Sequence, residues 1–130
     1  MSGDGTAFDW RSISRQAGLR LVDDALEIVL HEQRRQRVFV ETEYRDTVRL
    51  WSIVARASAV GNLETPTLDA WHRNRLSEFV GFTIDPRGRM IGESWVPAVS
   101  ITADEWAFYI RALAKACDRF EYLLTGRDEA

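Results

Sequence analysis

Cysteine is almost missing from this 130-residue chain, which contains only Cys117. One cysteine excludes an intramolecular disulfide and any metal site built from several thiolates, and it is typical of a reducing compartment. Long apolar runs are missing too, because uncharged stretches such as residues 98–103 fall far short of the roughly 20 apolar residues that cross a bilayer. Residues 1–8 lack the basic and apolar segments of a secretory signal. We therefore expect a cytoplasmic protein with no membrane segment.

Lysine is the other scarce residue, since Lys115 is the only one among 17 basic side chains. The formal net charge is -3, which argues against general nucleic-acid binding driven by counterion release. The hydrophobic fraction of 45% is that of a folded globular protein. A chain of this length is expected to form one domain with one core.

The spacing of apolar residues divides the chain into an extension, a main domain and a tail. Residues 1–18 form an N-terminal extension in which Trp10, Ile13 and Ala17 are spaced as on a short helix. Residues 19–126 form the domain, and residues 127–130 are a tail. We predict that the domain opens with a helix over 19–32, because its apolar residues recur at helical spacing; they are Leu21, Val22, Ala25, Leu26 and Val29.

Two hairpins follow from a change to alternating apolar and polar residues. The first joins a strand over residues 38–44 to a strand over 48–55. The second joins 80–84 to 90–99 through the turn-forming residues 85–88, DPRG. Between the hairpins, Thr65 and Pro66 begin a helix, and Gly81 ends it. Its predicted inner side consists of Leu68, Trp71, Leu76 and Phe79.

The last helix has the clearest boundaries. Thr102 and Glu105 form a capping box, and Gly126 follows the final apolar turn. Its apolar stripe consists of Trp106, Tyr109, Ile110, Leu113, Cys117, Phe120 and Leu124. The predicted fold is therefore α+β, an antiparallel β-sheet of two hairpins packed against helices, in the order α-β-β-α-β-β-α.

The strands carry apolar residues on both faces, which is more surface than three helices on one side can cover. The candidate interface consists of Phe39, Trp51, Ile53 and Trp95. Either a second molecule covers this face, or the N-terminal part of the chain with Trp10 does. If the face is buried, Glu93 needs an arginine partner, for which Arg49 and Arg56 are the candidates.

Catalytic patterns are missing from the sequence. His31 and His72 belong to no metal-binding spacing, and the strand carboxylates Glu41, Glu43 and Glu93 are better explained as a solvated sheet face than as an acid/base pair. There is no phosphate-binding glycine loop and no nucleophile motif. We predict no catalytic residue, no metal ligand and no cofactor. A nucleic-acid site at residues 34–37, RRQR, and a small enzyme using a carboxylate or histidine are the alternatives.

Several local patterns resemble the YbjN-like family, whose fold is that of the type III secretion chaperones. They are residues 71–74 (WHRN), 79–90 (FVGFTIDPRGRM), Pro97, 102–106 (TADEW) and 117–124 (CDRFEYLL). The resemblance covers residues 19–126. It implies a non-enzymatic domain that forms a homodimer and binds an unidentified protein partner, as a chaperone or a regulatory adaptor. The segment before Gly18 has no counterpart in that resemblance.

Overall fold

Six strands form one antiparallel sheet in the order β1-β2-β3-β4-β6-β5. The structure is a computed structural model and describes residues 8–126, so the start of the predicted extension and the predicted tail over 127–130 lie outside the described residues. The elements are α1 (Trp10–Gln16), β1 (Arg20–Val22), β2 (Ala25–Val29), a 3₁₀ turn (His31–Gln33), β3 (Arg35–Glu41), β4 (Thr47–Ala55), α2 (Ala57–Val60), α3 (Pro66–Asn74), β5 (Gly81–Ile84), β6 (Met90–Pro97) and α4 (Ala103–Thr125). The predicted α+β class with an antiparallel sheet is confirmed.

Both predicted hairpins are present, as β3–β4 and β5–β6. They meet through β4 and β6, which pair along eight positions from Thr47↔Pro97 to Ala55↔Met90. Successive side chains of a strand point to opposite faces, so each strand contributes to two surfaces. In β4, Val48, Leu50 and Val54 are buried in the core.

The helix predicted over 19–32 is wrong, because these residues form the hairpin β1–β2 and the 3₁₀ turn. The chain reverses at Asp23, whose φ of 56° is a left-handed conformation that aspartate tolerates better than most residues. Leu26 and Ile28 then alternate into the core. β2 pairs with β3 along five positions, so these tertiary hydrogen bonds override the local helical spacing. The sheet therefore has six strands and not four.

The core lies between the sheet and α4, which contacts β3, β4 and β6. The capping box of Thr102 and Glu105 is present, and Gly126 ends the helix at φ 73°, both as predicted. The buried stripe of α4 includes Trp106, Ile110 and Leu113, all at 0% exposure. Within residues 8–126, no helix is long and apolar enough to cross a membrane.

The short helix α1 packs against α4 through a buried hydrogen-bonded pair. The indole Nε1 of Trp106 donates to Ser14 Oγ at 2.8 Å, and Ser14 Oγ donates to the carbonyl of Trp10 at 2.6 Å. Ser14 is fully buried and Trp10 is 6% exposed. The helix predicted before Gly18 therefore forms and contributes to the same core.

Helix α3 closes one edge of the sheet. The side-chain amide of Asn74 donates to the carbonyl of Phe82 at 2.9 Å and accepts from its N–H at 2.7 Å. These are the groups that an adjoining strand would pair, so one amide takes the place of a seventh strand beside β5. The other edge of the sheet is the three-residue strand β1.

Candidate functional site

One face of the sheet is turned away from α4, and we call it the outer face. The register pairs Phe39 with Trp51 across β3 and β4, and it pairs Arg49 with Trp95 across β4 and β6. Ile53 lies two residues beyond Trp51, on the same side of β4. The four residues predicted as an interface, from three different strands, are thus brought together on the outer face.

Aromatic contacts organise the outer face. The rings of Phe39 and Trp51 stack with centroids 4.5 Å apart, and Trp95 contacts Tyr44 edge-on at 4.6 Å. Trp95 is 47% exposed. Helix α4 packs on the opposite face, α1 packs on α4, and α3 contacts the sheet at β5, so none of these three covers the aromatic residues.

A charged bridge crosses the same face. Arg49 contacts Glu93 at 2.6 Å and Glu41 at 3.2 Å, which confirms the arginine partner expected for Glu93 and selects Arg49 over Arg56. Burial alone would lower the pKa of Arg49, but its hydrogen bond with Glu93 and the two negative charges outweigh burial and raise that pKa. The guanidinium also lies 5.6 Å from the ring centroid of Trp51. The outer face therefore combines aromatic rings with a neutralised, fixed arginine.

A second set of exposed apolar side chains lies on α3 and directly after it. Of the four residues predicted for the inner side, Phe79 packs against the core and the other three do not. Leu68, Trp71 and Leu76 are 48%, 54% and 78% exposed, and we call these three residues the α3 patch. The helix instead buries Ala70, at 5% exposure. The docking of Asn74 on β5 sets this rotation, because it holds one side of the helix against the strand edge. The predicted start of the helix is confirmed, but the helix ends at Asn74 and not at Gly81, and apolar periodicity could not tell which side faces the core.

Among the groups considered for catalysis, only Glu41 and Glu93 are brought together, and Arg49 pairs with both of these carboxylates. His31 and His72 are both exposed, and Glu43 is exposed on the segment after β3. No group of three metal-ligating side chains occurs among residues 8–126. Cys117 is buried, as its place on the α4 stripe predicted, and burial raises the pKa of its thiol far above the ordinary value.

The arginine cluster at residues 34–37 is split by the fold. Arg34 makes a two-point contact with the Asp118 carboxylate, with Nη2 to Oδ2 at 2.9 Å and Nε to Oδ1 at 3.2 Å. Arg35 pairs with Glu27 at 2.9 Å. Of the three arginines in this cluster, Arg37 alone is exposed and makes no ion pair with the described residues. These residues follow the 3₁₀ turn and begin β3, and their ion pairs divide them, so the cluster is not one continuous basic surface.

Comparison with solved structures agrees with this architecture. YbjN from E. coli, a candidate transcription regulator, matches with a TM-score of 0.64 at 14% identity over 89% of this chain and 88% of that chain. The ExsC–ExsE complex matches with a TM-score of 0.57 at 18% identity, covering 88% and 91%. The HopA1–SchA chaperone–effector complex matches with a TM-score of 0.57 at 12% identity, covering 85% and 88%.

No protein-family model and no curated protein sequence matches the chain. The structural matches show that the fold is YbjN-like and like that of the type III secretion chaperones, which confirms the resemblance seen in the sequence. At these identities the likeness concerns the fold alone.

Proposed function

We propose that this chain is a non-enzymatic, cytoplasmic protein-binding domain that works as a homodimer, in the manner of a chaperone or a regulatory adaptor. The observation that carries the proposal is the exposure of large apolar side chains on two separate surfaces, the outer face and the α3 patch. Contiguous apolar surface on a soluble protein usually marks an interaction site. The solved chaperone–effector complex with this fold supports a protein as the partner.

We assign the contact between two copies to the α3 patch. Homodimer interfaces are more apolar than transient ones, and the most exposed large apolar side chain of the described residues, Leu76, belongs to this patch. Beside it, Leu123 of α4 is 52% exposed and lines a shallow groove together with Leu76. A second copy would remove both leucines from water.

We assign the unidentified protein partner to the outer face. Partner surfaces of non-obligate complexes are enriched in tryptophan, tyrosine and arginine, which are the residue types gathered here in Trp51, Trp95, Tyr44 and Arg49. The indole N–H of Trp51 is buried without a hydrogen-bond acceptor among the described residues. Such a group costs about 1–3 kcal/mol, so stability alone does not explain this tryptophan.

The dimer is tested by light scattering at tens of micromolar, above the dissociation constants of typical stable dimers. We expect twice the mass of one chain, and a single-chain mass for Leu76→Asp, because a charge in the α3 patch would have to be desolvated. The matched control is Val29→Asp, which alters a 55% exposed valine on β2, at the other end of the sheet. A wild-type protein with the mass of one chain contradicts the dimer.

The partner site is tested by affinity capture from cells of the source organism. We expect a protein that co-purifies with the wild type and with Val29→Asp but is lost with Trp95→Ala, which removes a half-exposed ring without touching the core. Circular dichroism checks that each variant is folded. Equal capture by the wild type and Trp95→Ala would contradict the assignment of the protein partner to the outer face.

Nucleic-acid binding is the second candidate, because Arg37 and Arg56 are exposed and YbjN is a candidate transcription regulator. Binding of labelled mixed-sequence RNA and DNA would be measured by fluorescence anisotropy at two salt concentrations. If phosphate contacts carry the function, affinity falls steeply with salt and falls again in Arg37→Gln. Salt-independent or undetectable binding favours the protein partner.

A further inference from the structure

A cavity of about 340 Å³ opens where β3 and β4 separate, beside α2 and the end of α4. An engineered protein cavity of about 150 Å³ is enough to hold benzene, and natural ligand clefts begin at about 300 Å³. The space is therefore large enough for a small organic molecule. Its apolar lining includes Ile53, Ala55 and Ala59, and it shares Phe39 and Ile53 with the outer face.

The separation of the two strands is held by side chains. The β3–β4 pairing ends at Phe39↔Trp51, before either strand does. Beyond that point the Gln36 amide donates to Ser52 Oγ and to the carbonyl of Ile53, both at 2.7 Å, and Ser52 Oγ donates to the carbonyl of Arg37 at 2.6 Å. These bonds satisfy carbonyl groups that a continuous ladder would have paired, so the opening is a defined feature of the fold.

The cavity carries positive charge in a chain whose net charge is negative. Arg35, Arg37 and Arg56 line it, together with Glu27. Glu27 stands opposite Arg37 in the strand register, but it ion-pairs with Arg35 at 2.9 Å and with Arg20 at 3.7 Å. Within residues 8–126, Arg37 and Arg56 are exposed and make no ion pair.

We propose that this cavity binds a small organic anion with an apolar body, such as a medium-chain or aryl carboxylate. The apolar body lies against Ile53, Ala55 and Ala59, and the anionic group pairs with Arg37 and Arg56. The proposal does not depend on the protein partner or on the dimer.

The lining also determines the orientation of the ligand. Glu121 contributes to the cavity and is 2% exposed, at the α4 side. Arg37 and Arg56, by contrast, are exposed, so the arginines without an ion pair stand on the solvent side of the cavity. The ligand therefore enters with its apolar end first and leaves its charged group at the arginines.

Isothermal titration calorimetry of the full chain with octanoate tests the proposal, with octanol and octylammonium as ligands of similar length but different charge. We expect submillimolar binding of octanoate, binding of octanol that is at least fivefold weaker, and no binding of octylammonium. The variant R37Q/R56Q should weaken octanoate about tenfold and leave octanol unchanged, since surface ion pairs contribute modestly each. Ala59→Phe should abolish binding of both by filling the cavity.

Arg111→Gln is the matched control, because Arg111 is an exposed arginine ten residues before Glu121, about 15 Å along α4. It should bind octanoate like the wild type. Equal affinity for octanoate and octanol, or unchanged octanoate binding in R37Q/R56Q, would overturn the proposal. Octanoate binding retained in Ala59→Phe would overturn it as well. R37Q/R56Q changes only exposed side chains, so the test remains decisive even if Ala59→Phe fails to fold.

Discussion

Gly92 lies in β6 against Cys117 of α4, where the packing leaves no room for a side chain. A Cβ atom added there would lie 2.5 Å from Cys117 Sγ, 2.9 Å from Phe82 Cε1 and 3.0 Å from Val80 Cγ1. Atoms in real cores do not approach so closely. The substitution Gly92→Ala must therefore displace the side chain of Cys117, the side chains of Phe82 and Val80, or the whole of α4.

The cost follows from the burial of the atoms that would have to move. Cys117 is 0% exposed, and Phe82 and Val80 are each 4% exposed, so none of them can turn into solvent. Inserting one methyl group into a well-packed core typically costs about 1–3 kcal/mol. With three tight contacts we expect Gly92→Ala to lie in the upper half of that range, and to lower the melting temperature by about 4 °C for each kcal/mol.

A double-mutant cycle with Cys117→Ala isolates the shortest contact. Alone, Cys117→Ala removes one buried sulfur atom and should destabilise the protein by about 1 kcal/mol. In the Gly92→Ala background the same change removes the clash at 2.5 Å and should instead restore part of the lost stability. The rescue is incomplete because the contacts to Phe82 and Val80 remain. We expect a coupling free energy of at least about 1 kcal/mol.

Urea denaturation followed by tryptophan fluorescence gives the four free energies of unfolding. Gly81→Ala is the matched control, because Gly81 lies in the neighbouring strand β5, where an added Cβ atom would meet nothing within 4 Å. This control should change stability by less than about 0.5 kcal/mol. A similarly small effect for Gly92→Ala would refute the packing described for α4 against β6. Strict additivity with Cys117→Ala would refute the assignment of the clash to sulfur.

Three further predictions concern buried polar groups. Arg34→Met leaves the 9% exposed carboxylate of Asp118 without its two-point partner, and it should lower the free energy of unfolding, measured by urea denaturation, by about 3 kcal/mol. A loss below about 1 kcal/mol would show that solvent replaces the arginine. Ser14→Ala deprives the Trp106 indole of its acceptor and should cost about 1–3 kcal/mol by thermal unfolding, whereas no change would mean that α1 does not dock on α4. Burial alone would raise the pKa of Asp85, but the hydrogen bond and charge of the Arg89 guanidinium, with the backbone N–H groups of Arg89 and Arg87, outweigh burial and lower that pKa. The ionised form of Asp85 therefore stabilises the fold above about pH 4. Asp85→Asn should therefore cost about 1 kcal/mol at pH 7, and this difference should shrink as the pH falls below about 4; a pH-independent difference would contradict the assignment.

The elements with strong local signals were predictable from sequence alone. The capping box at Thr102 and the glycine at position 126 delimit α4 because they satisfy backbone groups that the helix itself leaves unpaired. The residues DPRG likewise specify the β5–β6 turn, where Gly88 adopts φ 83°. Such signals act within a few residues of the chain, so they can be recognised without knowledge of the tertiary structure.

The elements that depend on distant partners were not predictable in this way. Leu21, Val22, Ala25 and Leu26 have spacings that suit a helix as well as two short strands, and the choice is made by β3, which offers β2 five pairing positions. The rotation of α3 has a similar cause, since Asn74 docks on the backbone of Phe82 eight residues away. Three residues of the predicted inner side proved to be exposed because an apolar stripe does not reveal whether it faces the core of its own chain or another molecule.

Apolar surface on both sides of a sheet requires two covers, and this reasoning led to the four residues predicted as an interface. Helix α4, about 35 Å long, covers one face by contacting β3, β4 and β6. On the other face Trp95 remains 47% exposed beside the stacked pair of Phe39 and Trp51. The cover that we propose for that side is another protein, and the same reasoning applied to Leu76, which follows α3, leads to a second copy of this chain.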